Sequence, residues 1–345
     1  MDGDAQGRPL TLRAGHSGLD EDDVRVRPGR GSRPRTRRRP AHEDAVEGFV
    51  TAVARGRYAC LVGDRVVTAM RARELGRRGV VVGDHVALAG DTSGAPGALA
   101  RVVRVAPRTT VLRRSADDSD PVERVIVANA EQMVIVCSLA NPPPRPRLID
   151  RFLVAAYDAA LCPLLCLTKE DLAPADKLLA IYEPLGIPHM TLGRPLTSPR
   201  LDPLRDILAG RVNVAVGHSG VGKSTLVNAL IPDAERAVGA VSPVTGRGRH
   251  TSSSAVALPL PGGGWFIDTP GLRAFGLGHL APDRVVRAFS DLAPGMAACP
   301  PACSHNEPDC ALDDWVRDQG GDLRLVARLD SLRRLLASRE GTDAG

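Results

Sequence analysis

Lysine, aromatic residues and long apolar runs are all scarce in this chain of 345 residues. Aromatic side chains make up only 3% of the residues, so little surface is available for stacking on nucleobases, and any contact with nucleic acid must run mainly through arginine. No apolar run approaches the roughly 18 residues of a membrane-spanning helix, and no signal-peptide pattern is present. We therefore expect a cytoplasmic protein without a membrane partner.

Basic charge is carried almost entirely by arginine. Of the 45 basic residues only Lys169, Lys177 and Lys223 are lysines, so 42 are arginines. The net charge of +5 is mildly basic, and its distribution along the chain is more informative than its sum. A motif that contains one of so few lysines is hard to obtain by chance. The length allows two or three domains, each with its own core.

A phosphate-binding loop is predicted by a segment that fits the pattern G-x-x-x-x-G-K-[ST]. It consists of Gly217, His218, Ser219, Gly220, Val221, Gly222, Lys223 and Ser224, with Thr225 directly after it. The valine-rich run at 212–216 predicts a buried parallel strand before the loop, and 223–231 predicts a helix after it. In such a loop the lysine reaches the β- and γ-phosphates, and the serine hydroxyl binds Mg²⁺. The sequence therefore predicts a nucleoside triphosphate site.

A tetrapeptide upstream predicts that the nucleotide is GTP. Thr168, Lys169, Glu170 and Asp171 follow an apolar run and are similar to the Asn-Lys-x-Asp motif of guanine-specific phosphate-loop proteins. The carboxylate of Asp171 can accept hydrogen bonds from guanine N1–H and N2–H₂, whereas adenine offers no matching pair of donors. The aliphatic stem of Lys169 can cover the base. Asp171 therefore disfavours an ATP-dependent enzyme.

A D-x-x-G motif, Asp268 to Gly271, ends a predicted strand downstream of the loop. Asp268 is expected to hold Mg²⁺ through water, and Gly271 is expected to donate its N–H to the γ-phosphate. In a standard GTPase the base-reading motif follows the phosphate loop, but here it precedes the loop. A parallel sheet tolerates this change because its strand ends converge on one site in any chain order. We predict a circularly permuted α/β GTPase domain at 111–278. Its first helix is predicted at about 149–161, after the proline-rich loop of 142–146.

A mobile switch loop is predicted at 246–254, which is rich in glycine and hydroxyl residues. Thr251 is the candidate hydroxyl that closes on Mg²⁺ when the γ-phosphate is present. Leu272 stands where many GTPases have the glutamine that positions water, so slow intrinsic hydrolysis is expected. His250 is the candidate that orients the attacking water instead. The alternative is a basic linker without a catalytic role.

Three cysteines and one histidine cluster near the C-terminus, as Cys299, Cys303, His305 and Cys310. In a reducing location this spacing predicts one closed, structural zinc site rather than disulfides. Unligated cysteines in a loop are the alternative. The leucines of 323–336 recur at helical spacing and predict a packing helix. We expect a mainly helical zinc-binding domain at 279–345.

The N-terminal third divides into an arm and a small β domain. Residues 1–45 carry an acidic patch and an arginine run without apolar periodicity, which predicts a disordered arm that either contacts RNA or is simply solvated. A transit peptide is opposed by the acidic patch. Strands predicted at 48–53, 58–62, 65–70, 80–88 and 99–105 favour an OB-type β-barrel at 46–110, a fold that often binds nucleic acid. A solvated arginine face is the alternative to RNA binding there.

Taken together, these residues resemble the ribosome small-subunit-dependent GTPase A family (RsgA/YjeQ type) between about 46 and 336. The marks of the resemblance are 128–132, 150–153, 217–225, 246–251, 268–271 and the Cys/His cluster. The resemblance implies GTP hydrolysis to GDP and phosphate that the small (30S) ribosomal subunit stimulates, contact with 16S rRNA, and a role in late 30S maturation. Thr168 departs from the family's more frequent asparagine. We expect a monomer.

One alternative of a different class is left open by the motifs. An RNA-binding ribosome-assembly protein could use the nucleotide only as a structural ligand. Such a protein would bind GTP at the same loop, but the 30S subunit would not stimulate its turnover. Turnover with and without the subunit therefore separates the two hypotheses.

Overall fold

The structure is a computed structural model that describes residues 42–54, 56–76, 79–114, 124–232, 234, 255–269, 282–287 and 289–339. Most of the arm predicted at 1–45 lies outside the described residues, as does the switch loop predicted at 246–254. Among the described helices, none combines the length and the apolar character needed to cross a bilayer.

A closed five-stranded barrel forms the first folded part of the chain. Its strands are β1 (Val46–Ala54), β2 (Arg57–Val62), β3 (Arg65–Arg71), β4 (His85–Gly90) and β5 (Ala100–Val105). The β3–β5 pairing is parallel, and the β1–β2, β2–β3, β4–β5 and β1–β4 pairings are antiparallel, which closes the ring. The predicted OB-type barrel is confirmed.

The predicted strand at 80–88 is wrong in its first half. β4 begins only at His85, because Gly83 has φ +90° and breaks the extended backbone. A β-carbon on Gly83 would lie 2.0 Å from the carbonyl oxygen of Ala128, so the close approach of these two segments requires glycine. The apolar run of 80–82 is nevertheless buried at Val80 and Val82, which explains why its sequence reads as a strand.

A polar joint connects the barrel to the next segment of the chain. Asp84 is fully buried and accepts two hydrogen bonds from Arg108, at 2.7 and 2.8 Å. Asn129 donates to the carbonyl of Gly83 at 2.8 Å and accepts from the N–H of Thr109 at 2.9 Å. A two-stranded ribbon, β6 (Val111–Arg114) and β7 (Arg124–Ala128), lies between these contacts in the chain. The joint therefore holds the barrel against both ends of this ribbon.

The central part is an α/β sheet of six strands, in the order β10-β9-β8-β11-β13-β12. The strands are β8 (Gln132–Ser138), β9 (Cys162–Thr168), β10 (His189–Leu192), β11 (Val212–Val216), β12 (Val256–Pro259) and β13 (Trp265–Asp268). All neighbours are parallel except β12 and β13. The carboxyl ends of β9, β11 and β13 therefore meet at one edge, as the permuted arrangement requires.

The described residues of this central part include four α-helices: α1 (Pro146–Asp158), α2 (Asp176–Tyr182), α3 (Ser198–Leu208) and α4 (Lys223–Leu230). The sequence predicted the first helix at 149–161, three residues too late. Pro146 is the first helical residue, and proline is favourable there because it has no N–H to lose and its φ suits the helix. The helix ends at Asp158, after which Ala160 has φ +55°.

The barrel and the central sheet are continuous through β1 and β12. Ala52 of β1 pairs with Val256 of β12, and Val256 also pairs with Asp268 of β13. The rings of Phe49 and Trp265 stack beside this row, with centroids 4.8 Å apart. One cross-strand row thus runs from the strand that ends at Asp268 into the barrel.

The C-terminal part is helical in its described residues: α5 (Pro282–Arg287), α6 (Ala293–Met296), α7 (Ala311–Asp318) and α8 (Leu323–Arg339). The packing helix predicted at 323–336 is confirmed and extends three residues further. It buries Leu329, Leu332, Leu335 and Leu336 in the core that also contains α1. The last helix therefore packs back on the central part.

Candidate nucleotide site and metal cluster

The phosphate loop joins β11 to α4, as the sequence predicts. An added β-carbon on Gly217 would lie 2.5 Å from the carbonyl oxygen of Val136 on the neighbouring strand, so only glycine fits there. Gly220 has φ +82° and Gly222 has φ +93°, a region that residues with side chains rarely adopt. These glycines let the backbone turn tightly before α4, whose first N–H groups and dipole favour an anion.

Lys223 is the first residue of α4 and turns toward β13. Its Nζ lies 2.8 Å from Oδ1 of Asp268 and donates to the carbonyl of Thr269 at 2.6 Å. The hydroxyl of Thr269 in turn donates to the carbonyl of Ala215, at 2.5 Å. The lysine of the phosphate loop and the aspartate of the D-x-x-G motif are therefore neighbours, although 45 residues separate them in the sequence.

The tetrapeptide that is predicted to read the base lies beside the predicted phosphate loop. Thr168 ends β9, and its hydroxyl donates to the carbonyl of Val221 at 2.5 Å. Lys169 has φ +62°, and its ammonium donates to the carbonyls of Asn141 and Gly220. Thr168 thus connects the two loops directly, even though the family more often has asparagine at this position.

Asp171 is exposed at the outer end of this edge. Its Oδ1 accepts a hydrogen bond from the backbone N–H of Arg194 at 2.9 Å, which orients the carboxylate. Glu170 is also exposed, and its backbone N–H donates to the carbonyl of Leu192 at 3.3 Å. The carboxylate is therefore accessible to a base and held by the loop that follows β10.

Ser219, Ser224 and Thr225 are exposed at the loop and at the first turn of α4. The hydroxyl of Ser224 and the carboxylate of Asp268 are oxygen donors of the kind that Mg²⁺ prefers. The structure brings together the predicted residues of 168–171 and 217–225 with Asp268. His250, Thr251 and Gly271 lie outside the described residues.

The sequence missed one contact of the phosphate loop, between His218 and Arg145. Nη1 of Arg145 lies 3.2 Å from Nε2 of His218, whose Nδ1 lies 2.8 Å from the carbonyl of Ser219. Arg145 directly precedes α1 and is 73 residues away from His218. No local pattern in the sequence signals a pair at that separation.

The four predicted metal ligands converge. The ligand atoms of Cys299, Cys303, His305 and Cys310 all lie within 4.8 Å of one another. The Sγ atoms of Cys299 and Cys310 are 3.8 Å apart, and Nδ1 of His305 lies 3.6 Å from Sγ of Cys299. A tetrahedral zinc site with Zn–S bonds of about 2.3 Å has sulfur–sulfur edges of about 3.8 Å. The cluster could therefore hold a metal ion in tetrahedral geometry.

The loop that contains the four predicted ligands has two residues with positive φ and is bound by Arg333 of α8. Ala302 has φ +63° and His305 has φ +64°. Arg333 donates from Nε to the carbonyl of His305 at 3.0 Å, and makes two hydrogen bonds to Asp313, at 2.6 and 2.8 Å. Burial raises the pKa of the Cys303 thiol to about 12, and a cation that binds this sulfur would displace its proton.

Residues 105–278 match the RsgA GTPase family. A curated relative from Chromohalobacter salexigens, the small ribosomal subunit biogenesis GTPase RsgA, is 40% identical over 267 residues, which is 75% of each chain. The protein of the same name from Pseudomonas aeruginosa is 39% identical over 272 residues, covering 76% of this chain and 77% of the relative.

Two solved structures share the fold. The crystal structure of YjeQ from Thermotoga maritima superimposes with a TM-score of 0.60 at 23% identity, covering 85% of this chain and 99% of that chain. YloQ, described as a circularly permuted GTPase, gives a TM-score of 0.58 at 23% identity, with 89% of this chain and 99% of that chain covered.

Proposed function

The chain belongs to the RsgA GTPase family, and from this membership we propose that it hydrolyses GTP to GDP and phosphate while bound to the small (30S) ribosomal subunit, in late maturation of that subunit. The relatives that carry the name small ribosomal subunit biogenesis GTPase support this proposal, since the chain covers three quarters of their length. The proposal includes ribosome-stimulated turnover, contact with 16S rRNA, a monomeric state and a cytoplasmic location.

The observation that carries the proposal is the contact between Thr168 and Val221. It joins the loop that would read guanine to the loop that would bind phosphates, at 2.5 Å. A nucleotide that spans the two loops would therefore contact the same edge of the sheet with its base and with its phosphates. In this arrangement Asp171 accepts from the guanine base, and the backbone of 217–222 and Lys223 bind the phosphates.

The remaining site assignments are proposals that follow the motifs. Ser224, Asp268 and Thr251 would hold Mg²⁺, which neutralises charge on the phosphates when bound. Gly271 would donate to the γ-phosphate, and His250 would orient the attacking water. The Cys/His cluster would hold one structural Zn²⁺, since its donors and spacing suit that ion. The domain boundaries proposed are 46–110, 111–278 and 279–345.

Measurement of GTP turnover with and without purified 30S subunits tests the proposal. We expect slow turnover by the protein alone and a marked increase when the subunit is added. Lys223→Ala is expected to abolish both, because it removes the cation that reaches the β- and γ-phosphates. Turnover that the subunit leaves unchanged would refute ribosome stimulation and favour an assembly protein with a structural nucleotide.

A further inference from the structure

We infer that His218 is a positioning residue of the phosphate loop, held by Arg145 in the neutral tautomer that carries its proton on Nδ1. The inference rests on the proposed binding of GTP and extends it to two residues whose contact no motif describes. Neither side chain needs to touch the nucleotide, because both act through the backbone of the loop.

The tautomer follows from the two partners of the imidazole. The carbonyl of Ser219, 2.8 Å from Nδ1, can only accept a hydrogen bond, so Nδ1 must carry the proton. The guanidinium of Arg145, 3.2 Å from Nε2, can only donate, so Nε2 must present its lone pair. Only a neutral imidazole protonated on Nδ1 satisfies both contacts.

The Arg145 side chain is exposed, and its backbone is positioned by α1, which it directly precedes. That helix buries Ile149, Phe152 and Leu153 in the main core. The apolar recess beside His218 is walled by Cys137, Leu148, Phe152 and Val221. The imidazole therefore connects the Ser219 carbonyl of the phosphate loop, through Arg145, to the start of α1.

The consequence for phosphate binding comes from the planarity of the peptide unit. The carbonyl of Ser219 and the N–H of Gly220 belong to one peptide plane and point in opposite directions. When His218 holds the carbonyl, the N–H of Gly220 is turned to the other side, and N–H groups of this loop are what cradle phosphates. Lys169 fixes the next peptide by donating to the carbonyl of Gly220 at 2.9 Å. Both peptide planes around Gly220 are thus oriented by side chains of the protein.

The test compares four single variants of the full chain by titration with a fluorescent GTP analogue and by steady-state turnover. His218→Ala and Arg145→Ala are each expected to raise the Kd for GTP about tenfold, with a small change in kcat. His218→Gln keeps a donor and an acceptor and is expected to bind within about threefold of the unsubstituted protein. Arg317→Ala, which removes an exposed arginine of α7, is the control.

Nitrogen-15 NMR of the labelled imidazole shows which ring nitrogen carries the proton. A purely structural role of His218 would not make that position depend on Arg145. The His218 ring is expected to carry its proton on Nδ1 in the unsubstituted protein and to lose that preference in Arg145→Ala. A proton on Nε2 in the unsubstituted protein, or Kd values for His218→Ala and Arg145→Ala within about twofold of it, would overturn the inference. If the unsubstituted protein does not bind GTP at all, the proposed function fails, whichever tautomer the ring adopts.

Discussion

Arg334 and Asp150 are 184 residues apart in the chain, yet Nε of Arg334 donates a hydrogen bond to Oδ2 of Asp150 at 2.9 Å. Asp150 is fully buried on α1, and Arg334 reaches it from α8 across the ring of Tyr182, 5.4 Å from the ring centroid. The pair therefore joins the C-terminal helix to the central part by a charged contact inside the protein.

Arg334→Ala is expected to lower the free energy of unfolding by about 3–5 kcal/mol, because it leaves a buried carboxylate without its cation. The double variant Asp150→Leu, Arg334→Met should unfold close to the unsubstituted protein, since apolar residues of similar volume remove both charges together. Urea unfolding measures both. A small loss in Arg334→Ala would mean that the carboxylate finds another partner or remains hydrated.

The same pair predicts a pH dependence. Burial raises the pKa of Asp150, and Arg334 lowers it only in part. The folded protein therefore holds this proton more tightly than the unfolded chain, so the folded state gains stability as the pH falls and loses it as the pH rises. The loss in the free energy of unfolding caused by Arg334→Ala should be largest near pH 8 and smaller near pH 5. An equal deficit at both values would contradict this assignment.

Gly217→Ala is expected to disturb the phosphate loop itself. The new β-carbon would lie 2.5 Å from the carbonyl oxygen of Val136, so β8 or the loop must move. Overpacking of this kind lowers the free energy of unfolding by about 1–3 kcal/mol. GTP binding should be lost because the loop is displaced from its position at the end of β11. Gly79→Ala, where no atom lies within 4 Å of the added carbon, is the matched control and should retain binding.

Asp171→Ala is expected to remove discrimination at the 2-amino group of guanine. The unsubstituted protein should prefer GTP to ITP by about tenfold or more, since ITP lacks the amino group that a carboxylate would accept from. The variant should bind the two nucleotides almost equally. Asp176→Ala, which changes an exposed carboxylate at the start of the nearby α2, should keep the preference. An unchanged preference in Asp171→Ala would refute the base-reading role.

Metal analysis tests the Cys/His cluster. The purified chain is expected to hold about one zinc ion per molecule, and Cys310→Ser should lose it because the buried sulfur is one of the four proposed ligands. Cys162→Ser, at an exposed cysteine on β9, should keep the metal. A strong chelator should lower the thermal stability of the unsubstituted protein, because metal binding and folding are coupled. Full zinc content in Cys310→Ser would refute the ligand set.

The sequence correctly predicted that the motifs meet at one edge of the central sheet, because each motif is local and has its own flanking strand. Gly217 to Lys223 sits between a valine-rich run and an amphipathic helix, and Thr168 ends another apolar run. Once the strands are parallel, their carboxyl ends must meet. The order of the motifs then predicts permutation without any knowledge of distances. The barrel was predictable for a similar reason, since its short strands are separated by tight turns.

Contacts between distant residues could not be predicted in this way. The pairs Asp84 with Arg108, Arg145 with His218, and Asp150 with Arg334 each join residues that are far apart in the chain. Their side chains are common surface types, and only the packed fold shows that Asp84 and Asp150 are buried. The start of α1 was missed because a run of prolines resembles a loop, although proline also suits the first turn of a helix.

The pairing of β1 with β12 also has a consequence for how the protein can be handled. Among the strands that the structure describes, β12 would be the last one of the central sheet without the barrel, and its outer backbone groups would be open to pairing with other molecules. β1 covers that edge, most directly where Ala52 meets Val256. A shortened chain that starts after the barrel would uncover the edge and self-associate. The barrel therefore shields this edge of the central sheet in the part of the chain that the structure describes.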